Sequence, residues 1–352
     1  MGNLATTYQN IADILSYTSS KDTLEKTLSS KAFNWDNIVI EGSKHLILPA
    51  IYCRLKSKQL THLLPEELDT YLKEITALNE HRNLQILHQV NTLSALLKTH
   101  EIDHVFLKGA ALISGDYYDD ITERMLGDID ILISNNQLDL AFQLLKDNSY
   151  YPIEQTLGND FFEHKHLPRL KTDSYICAVE LHRKLFVSYK EDTLSSTNIL
   201  ASKQTINHIA LPSPKHLMLH NILNYQINDK GSLYNSINFR SAYDSVVLNN
   251  KDHVILGTTT KVIRKYFSIL GLFFEDFPKT YKTANFTTWF YSYKLKHLSF
   301  YRIWNKILKL TDFLWTIMGR IPHFIKNKDY RTALLKDRSR IIKYIRSVLK
   351  NT

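Results

Sequence analysis

Residues 107–133 of this 352-residue chain, LKGAALISGDYYDDITERMLGDIDILI, decide the fold. The run IDHVFL at 102–107 is short and rich in β-forming residues, and GDIDILIS at 127–134 is a second run of this kind. KGAALIS follows the first run, and NNQLDLAFQLLKDN at 135–148 follows the second with apolar residues at helical spacing. The segment therefore predicts the order strand, helix, strand, helix.

Two aspartates lie at the start of the second predicted strand. Successive side chains of a strand point to opposite faces, so Asp128 and Asp130 share one face while Ile129 and Ile131 turn towards the core. Carboxylates about 6–7 Å apart along a strand can hold one or two Mg²⁺ ions, whose preference for oxygen ligands suits phosphoryl transfer. Without a cation, adjacent like charges are costly to bury. The pair therefore predicts either solvent exposure or a bound metal.

A third acidic residue lies on a later predicted strand. The runs FFEHKHLPRL at 161–170 and SYICAVELHRKLF at 174–186 are typical of strands, and the short polar turn between them predicts a hairpin. In the second run, Glu180 and His182 alternate on one face, where a sheet neighbour could bring Glu180 to the aspartates. We therefore expect an α+β core with a small mixed sheet and three carboxylates on two of its strands.

Lys108 and Gly109 lie where the first predicted strand ends and a helix begins. The free backbone N–H groups at the start of a helix can donate hydrogen bonds to triphosphate oxygens, and the positive end of the helix dipole attracts them. Gly109 would let the backbone approach those oxygens closely. Lys108 either contacts the triphosphate or only extends its charged end into solvent. The segment is therefore a candidate phosphate loop.

Helical patterns flank this core on both sides. Pro65, with two glutamates after it, is a typical start for a long helix, and Ser213 with Pro214 resembles an N-cap and first helical residue. We predict an N-terminal helical region at 1–100, the core at 101–212, a helical region closing the site at 213–280, and a basic, aromatic-rich helical region at 281–352.

The composition is that of a soluble folded protein, with 44% hydrophobic and 22% charged residues. Cys53 and Cys177 form no CxxC pair, which argues against a disulfide scaffold or a zinc ribbon. The sequence contains neither the pattern of a signal peptide nor an apolar run long enough for a membrane span. We expect a cytoplasmic protein without a transmembrane segment.

The net charge of +9 is concentrated in the tail. From Lys279 to the C-terminus, 17 basic and 3 acidic residues give a charge of +14, so the rest of the chain carries −5. This asymmetry favours RNA, DNA or an anionic membrane surface as a partner, or it reflects solvated helix faces.

The chain resembles the polymerase-β-like nucleotidyltransferase superfamily, and within it an uncharacterised bacterial nucleotidyltransferase family with an LKG, GDIDLLV and ELH pattern. The matching residues are LKGAA at 107–111, Tyr117 or Tyr118, Arg124, GDIDILI at 127–133 and VELH at 179–182, with a weaker match in FRSAYDSVVL at 239–248. The resemblance covers roughly residues 100–250. It implies a polymerase-β-like α+β core with helical additions and the transfer of a nucleoside monophosphate from an NTP.

The resemblance also implies roles for single residues. Asp128, Asp130 and Glu180 would be catalytic and would hold Mg²⁺ (or Mn²⁺), and Glu180 would either bind the metal or activate the acceptor hydroxyl. The implied nucleotide-binding residues are Lys108, Gly109, Ala110, Arg124, His182, Arg240 and Asp244. Ala110 stands where many members have serine, which removes a hydroxyl contact to phosphate. The 18 residues between Gly109 and Asp128 predict an extra loop, DYYDDITERM, at the site mouth.

Three of these residues have a second interpretation. Arg124 either clamps a phosphate or neutralises an acidic neighbour on its own loop. Those neighbours are Asp119, Asp120 and Glu123. Arg240 and Asp244, at helical i, i+4 spacing, either line the nucleotide pocket or form a surface ion pair.

Histidines near the third carboxylate raise the question of zinc. They are His164, His166 and His182, close to Glu163 and Glu180. Their spacing is not a recognised zinc-ligand pattern, and isolated histidines more often serve as ordinary hydrogen-bonding residues. His182 could still orient Glu180 or assist acid–base chemistry beside it.

The expected function is Mg-dependent transfer of an NMP from an NTP such as ATP to a hydroxyl of RNA, a protein or a small molecule, with release of pyrophosphate. One alternative is a catalytically degenerate nucleotide-binding or RNA-binding module, which Ala110 would favour. The other is a metal-dependent phosphohydrolase with water as the acceptor. The basic tail adds an anionic surface as a further candidate partner.

Overall fold

The computed structural model describes residues 4–153, 161–162, 164–186, 194–254, 256 and 260–350. Its N-terminal part is helical, with α1 (Leu4–Leu15), α2 (Lys21–Leu28), α3 (Trp35–Lys44), α4 (Leu48–Ser57) and α5 (Glu66–Thr99). Helix α5 begins directly after Pro65, as predicted, because proline is pre-organised for a helix start and needs no N–H partner there. Acidic residues in its first turn complement the helix dipole.

A five-stranded mixed sheet forms the core. Its strands are β1 (His104–Phe106), β2 (Asp128–Ile133), β3 (Tyr151–Pro152), β4 (Leu170–Lys171) and β5 (Ala178–His182). They lie in the order β1-β2-β5-β4-β3, with β2 parallel to β5 and the other pairs antiparallel. The predicted α+β class with a small mixed sheet is confirmed. The predicted hairpin is also present as the antiparallel pair β4 and β5, although β4 has only two residues.

Helix α6 (Lys108–Ser114) follows β1, and helix α7 (Leu138–Asp147) follows β2. Ile129 and Ile131, which alternate with the aspartates on β2, are fully buried. Asp130 and Leu132 on the other face are buried as well, so β2 is covered on both sides. Because successive side chains of a strand alternate, both aspartates lie on the face opposite the two isoleucines.

The segment between α6 and β2 packs against α4 and α5 instead of forming an open loop at the site mouth. Two buried asparagines of α5 hold its backbone, since Asn79 donates to the Thr122 carbonyl at 2.7 Å and Asn83 donates to the Arg124 carbonyl at 2.8 Å. Glu123 is buried within the segment and accepts a hydrogen bond from the Tyr243 hydroxyl. The predicted mouth loop is therefore a structural connection.

Glu123 makes the stability of the fold depend on pH. Burial raises the pKa of Glu123 from 4.5 to about 7. The folded state therefore keeps a proton that the unfolded state releases between pH 4.5 and 7, so stability should fall as pH rises through this window. Glu123→Gln removes this loss, and its stability advantage over the native chain should grow from pH 4.5 to pH 8 to at most about 3 kcal/mol.

Chemical denaturation at pH 4.5, 6 and 8 measures this advantage. Glu80→Gln, an exposed change on α5, is the matched control and should give the same difference from the native chain at every pH. A constant advantage of Glu123→Gln across the three pH values would contradict the prediction.

The second half of the described chain is mainly helical. Its elements are α8 (Ser196–Ala201), the hairpin β6 (Gln204–Ile206) and β7 (Ile209–Leu211), α9 (Pro214–Leu223), α10 (Gly231–Tyr234), α11 (Phe239–Asp252) and α12 (Lys261–Leu270). Ser213 caps α9 by accepting from the His216 N–H, with Pro214 in the first turn, as predicted. Helices α9 and α11 pack against each other, and α9 also contacts α6.

The basic tail is helical, with α13 (Phe286–Lys296), α14 (Leu298–Lys326), α15 (Lys328–Lys336) and α16 (Arg338–Lys350). Helix α14 is 29 residues long and has no buried side chain. Within the described residues, no helix combines the length and the apolar character that crossing a membrane requires.

Candidate functional site

Three acidic side chains and a histidine share one face of two neighbouring strands. The parallel register of β2 and β5 places Asp128 opposite Ala178, Asp130 opposite Glu180 and Leu132 opposite His182. Side chains in equivalent positions of paired strands lie on the same face. Asp130 and Glu180 are nearly fully buried at 2% and 5% exposure, whereas the Asp128 side chain is 29% exposed. The structure thus brings together the three carboxylates that the sequence singled out.

Lys108 contacts this face from the start of α6. Its Nζ lies 2.5 Å from Asp130 Oδ1, and its backbone has a left-handed φ of 52°. A residue with a side chain held in this region carries strain of roughly 1–3 kcal/mol, which surrounding contacts must offset. The side chain of Lys108 forms an ion pair with Asp130. The interpretation in which Lys108 only extends its charged end into solvent is therefore wrong.

Arg169 bridges two of the carboxylates. Its Nη2 lies 3.0 Å from Asp128 Oδ2 and 2.5 Å from Glu180 Oε1, and its Nε donates to Glu180 Oε1 at 2.9 Å. The sequence reasoning missed this residue. Arg169 directly precedes β4, in the run HLPRL. The hairpin predicted between this run and the strand of Glu180 was the signal that could have placed Arg169 near Glu180, and β4 does lie beside β5.

The surrounding cations keep two of the carboxylates ionised. Burial alone would raise the pKa of Asp130, but Lys108 and the hydrogen bond from His182 hold it well below its ordinary value. Burial likewise opposes ionisation of Glu180, and His182, His166 and Arg169 together lower its pKa to about 2. Burial and the other two carboxylates raise the pKa of Asp128. At neutral pH the face therefore holds Asp130 and Glu180 in their ionised forms, paired with Lys108 and Arg169.

The donor set fits a small divalent cation. Asp130, Glu180 and His182 each offer one ligand atom, and these atoms lie within 4.8 Å of one another. Asp128 lies on the same face and is the most accessible of the carboxylates. His182 Nε2 contacts Asp130 Oδ1 at 2.8 Å, while its buried Nδ1 has no hydrogen-bond partner. Carboxylate oxygens are the ligands that Mg²⁺ and Mn²⁺ prefer.

Of the residues in the zinc interpretation, His182 and Glu180 belong to the cluster of metal-binding side chains. Among the described residues, the cluster of metal-binding side chains contains neither His164 nor His166. The His166 Nε2 lies 3.6 Å from Glu180, and its Nδ1 faces the Leu167 carbonyl oxygen. Glu163, the other acidic residue of this interpretation, lies outside the described residues.

A cavity lies beside Lys108, between the core and the helices that follow it. Arg124 and Leu112 line it from the core side, and Arg240 and Asp244 line it from α11. His220 of α9, which the sequence reasoning missed, also lines the cavity, and burial lowers its pKa to about 3. Its imidazole is therefore neutral at physiological pH. The cavity presents basic, acidic and neutral hydrogen-bonding groups next to the carboxylates.

Arg124 and Asp244 form a buried bidentate ion pair. Arg124 donates from Nε to Asp244 Oδ1 at 2.8 Å and from Nη2 to Asp244 Oδ2 at 3.0 Å, and the Tyr118 hydroxyl also donates to this carboxylate. The interpretation in which Arg124 neutralises Asp119, Asp120 or Glu123 is therefore wrong. The interpretation of Arg240 and Asp244 as a surface ion pair is also wrong, since Asp244 is only 3% exposed. The pair joins the core to α11.

Gly109 and Ala110 are buried in the first turn of α6. A Cβ on Gly109 would lie 3.1 Å from Leu126 Cγ and 3.6 Å from Arg124 Cζ. The glycine thus allows close packing of the Leu126 and Arg124 side chains. Ala110 is 1% exposed, so its methyl group belongs to the core.

Comparison with known proteins agrees with the geometry. A family model described as an uncharacterised nucleotidyltransferase matches residues 31–255, a range that includes the sheet, the carboxylate face and the cavity. The comparison with curated proteins gives no match. Because the family model covers more than half of the 352 residues, the chain belongs to this family of uncharacterised nucleotidyltransferases.

Proposed function

We propose that the protein transfers an NMP from an NTP to a hydroxyl group of an acceptor, with a divalent cation, Mg²⁺ or Mn²⁺, as cofactor. The observation that carries the proposal is the side-by-side arrangement of Asp128, Asp130 and Glu180 on β2 and β5, next to Lys108 and a polar cavity. The family membership supports the same chemistry. The acceptor classes remain those expected from the sequence: RNA, a protein or a small molecule.

The residues that would hold the cation are Asp128, Asp130 and Glu180, with His182 beside them. A divalent cation bound there neutralises triphosphate oxygens and stabilises the charge that develops during in-line displacement. Arg169 now neutralises Asp128 and Glu180. We infer that it leaves these carboxylates when the cation binds and that it then faces the polyphosphate.

In the proposed reaction, the acceptor hydroxyl oxygen forms a bond to the α-phosphorus of the NTP. The bond from this phosphorus to the oxygen that bridges it to the β-phosphorus breaks, and pyrophosphate leaves with the electron pair. The hydroxyl proton passes to water. Glu180 lies opposite Asp130 on the face that would hold the cation, which favours metal binding over acceptor activation as its role.

The cavity is the proposed nucleotide pocket. Lys108 lies at the boundary between the carboxylates and the cavity, where a triphosphate would extend. Arg240 lines the cavity from α11 and supplies a second cation. The Arg124–Asp244 pair already has both partners, so we propose that it shapes the cavity wall. Neutral His220 is placed to hydrogen bond with the nucleoside.

The function is tested with each of the four NTPs, labelled at the α-phosphate, in the presence of Mg²⁺. The full chain is incubated with RNA, with proteins and with small molecules from a cell extract as separate acceptor fractions. Transfer of label to one fraction, with release of pyrophosphate, is expected. Free NMP as the only product would indicate a phosphohydrolase, and NTP binding without turnover would indicate a non-enzymatic binding module.

Replacing Arg169 should tighten binding of a divalent cation to the free protein. Arg169→Gln removes the guanidinium that competes with a cation for Asp128 and Glu180. Because the Arg169 side chain is 47% exposed and therefore screened, we expect a gain in Mn²⁺ affinity of about three- to tenfold. Isothermal titration with Mn²⁺ measures it.

Arg169→Lys is the matched control, since it keeps a positive charge at the same position. Its Mn²⁺ affinity should stay close to that of the native chain. Weaker Mn²⁺ binding by Arg169→Gln than by Arg169→Lys would show that Arg169 supports the metal site instead of competing with the metal.

A further inference from the structure

Helix α14 carries a continuous apolar stripe on its surface. The stripe contains Ile303, Ile307, Leu310, Leu314, Ile321 and Ile325, each 42–68% exposed. With 3.6 residues per turn, these positions fall on roughly one sixth of the helix circumference and extend over about 33 Å. Single exposed apolar residues are ordinary on protein surfaces, whereas a stripe of this length marks an interaction surface.

The stripe faces away from the body of the protein. The partly buried residues of α14, among them Trp304, Leu308 and Asp312, lie on the other side of the helix. Asp312 accepts from Lys230 Nζ at 2.6 Å, which attaches this side to the helical region around α10. The orientation of α14 therefore leaves the apolar side directed at solvent.

Positive charge accompanies the stripe. Arg302, Lys306 and Lys309 are exposed along its first half. Asp312 is the one acidic residue in the sequence of α14, and Lys230 neutralises it. From Leu298 to Lys350 the sequence has 13 basic and 3 acidic residues, a charge of +10. The outward side of α14 thus combines aliphatic side chains with cations.

We propose that α14 binds to the surface of an anionic lipid bilayer, lying in the interface plane with its apolar stripe among the acyl chains. An amphipathic helix with apolar and basic sides and no membrane-spanning hydropathy is suited to this position. The cations beside the stripe would meet anionic headgroups. This inference is independent of the proposed reaction.

Two other occupants fit less well. A non-specific RNA site presents a row of aromatic side chains on which bases stack. The six residues of the stripe are all aliphatic, and the exposed aromatic residues Trp315 and Phe324 of α14 lie outside it. A second copy related by two-fold symmetry would place its own basic, acid-poor α14 against this one. The resulting repulsion between like charges disfavours that dimer, whereas anionic lipids are complementary to the same surface.

Flotation with vesicles tests the proposal on the full chain. Vesicles of phosphatidylcholine alone are compared with vesicles that contain phosphatidylcholine and phosphatidylglycerol. We expect binding to the anionic vesicles, at least tenfold weaker binding by Leu314→Asp/Ile321→Asp, and a similar loss for Arg302→Gln/Lys306→Gln/Lys309→Gln. Leu78→Asp/Leu140→Asp, at exposed apolar positions on α5 and α7, is the matched control and should bind like the native chain.

Several results would overturn the proposal. They are the absence of vesicle binding, equal loss in the control and the stripe variant, and equal binding to both kinds of vesicle. A dimer in solution that Leu314→Asp/Ile321→Asp dissociates, without vesicle binding, would identify a second copy as the occupant. RNA binding that only the charge variant weakens, again without vesicle binding, would identify RNA.

Discussion

Asp130→Asn is expected to lower nucleotidyl transfer by at least about 10³-fold, equivalent to roughly 4 kcal/mol of transition-state stabilisation. Asparagine keeps the shape and one oxygen of the side chain, so Lys108 Nζ retains an acceptor at this position. The loss of charge leaves the proposed cation with a weaker set of ligands. The rate of label transfer from an α-labelled NTP measures the effect.

A second variant separates loss of function from loss of folding. Asp130 is buried beside Lys108, so its replacement can also lower stability, whereas the Asp128 side chain is 29% exposed. Asp128→Asn should therefore stay folded and still lose most of the transfer rate. Asp139→Asn on the surface of α7 is the matched control, with native activity. Transfer within about threefold of the native rate in both site variants would rule out a catalytic role of the aspartates.

Asp244→Ala is expected to lower the free energy of unfolding by about 3–5 kcal/mol. Asp244 is the bidentate partner of Arg124, and both side chains are almost inaccessible to water. Removing the carboxylate leaves a buried guanidinium without its counter-charge and the Tyr118 hydroxyl without its acceptor. Both losses leave a buried polar group without its partner, which carries a desolvation cost. Urea denaturation measures the change.

The double variant Arg124→Met/Asp244→Leu shows whether the unpaired charge or lost packing causes the loss of stability. It removes both charges together, so most of the lost stability should return. Asp147→Ala, an exposed change at the end of α7, is the matched control and should change stability by at most about 0.5 kcal/mol. If the double variant is less stable than Asp244→Ala, the loss arises from packing and not from the unpaired charge.

The part of the site that could be predicted from the sequence is the part that follows local periodicity. Residues two positions apart on a strand lie on the same face. This rule predicted that Asp128 lies beside Asp130 and that Glu180 lies beside His182. The prediction that β5 lies next to β2 also required the assumption that the sheet is small. The observed pairing of Asp130 with Glu180 agrees with this prediction. The boundaries of the long helix at Pro65 and of α9 at Ser213 came from equally local capping rules.

The contacts that sequence reasoning missed connect residues far apart in the chain. Arg124 and Asp244 are 120 positions apart, and no local rule pairs them in preference to acidic residues next to Arg124. Arg169 reaches the carboxylates only because β4 lies beside β5. The DYYDDITERM segment was expected at the site mouth because 18 residues separate Gly109 from Asp128, but Asn79 and Asn83 satisfy its carbonyls inside the protein.

The parallel register of β2 and β5 also determines where this chain tolerates insertions. One extra residue within β5 would turn Glu180 and His182 to the opposite side of the sheet, and two would move Glu180 about 7 Å along the strand from Asp130. Extra residues in the connection from 134 to 177 would change neither the face on which Glu180 and His182 lie nor the pairing of Glu180 with Asp130, as long as Arg169, just before β4, still reaches Glu180. Family members should therefore differ in length between the two strands and keep a constant length within them.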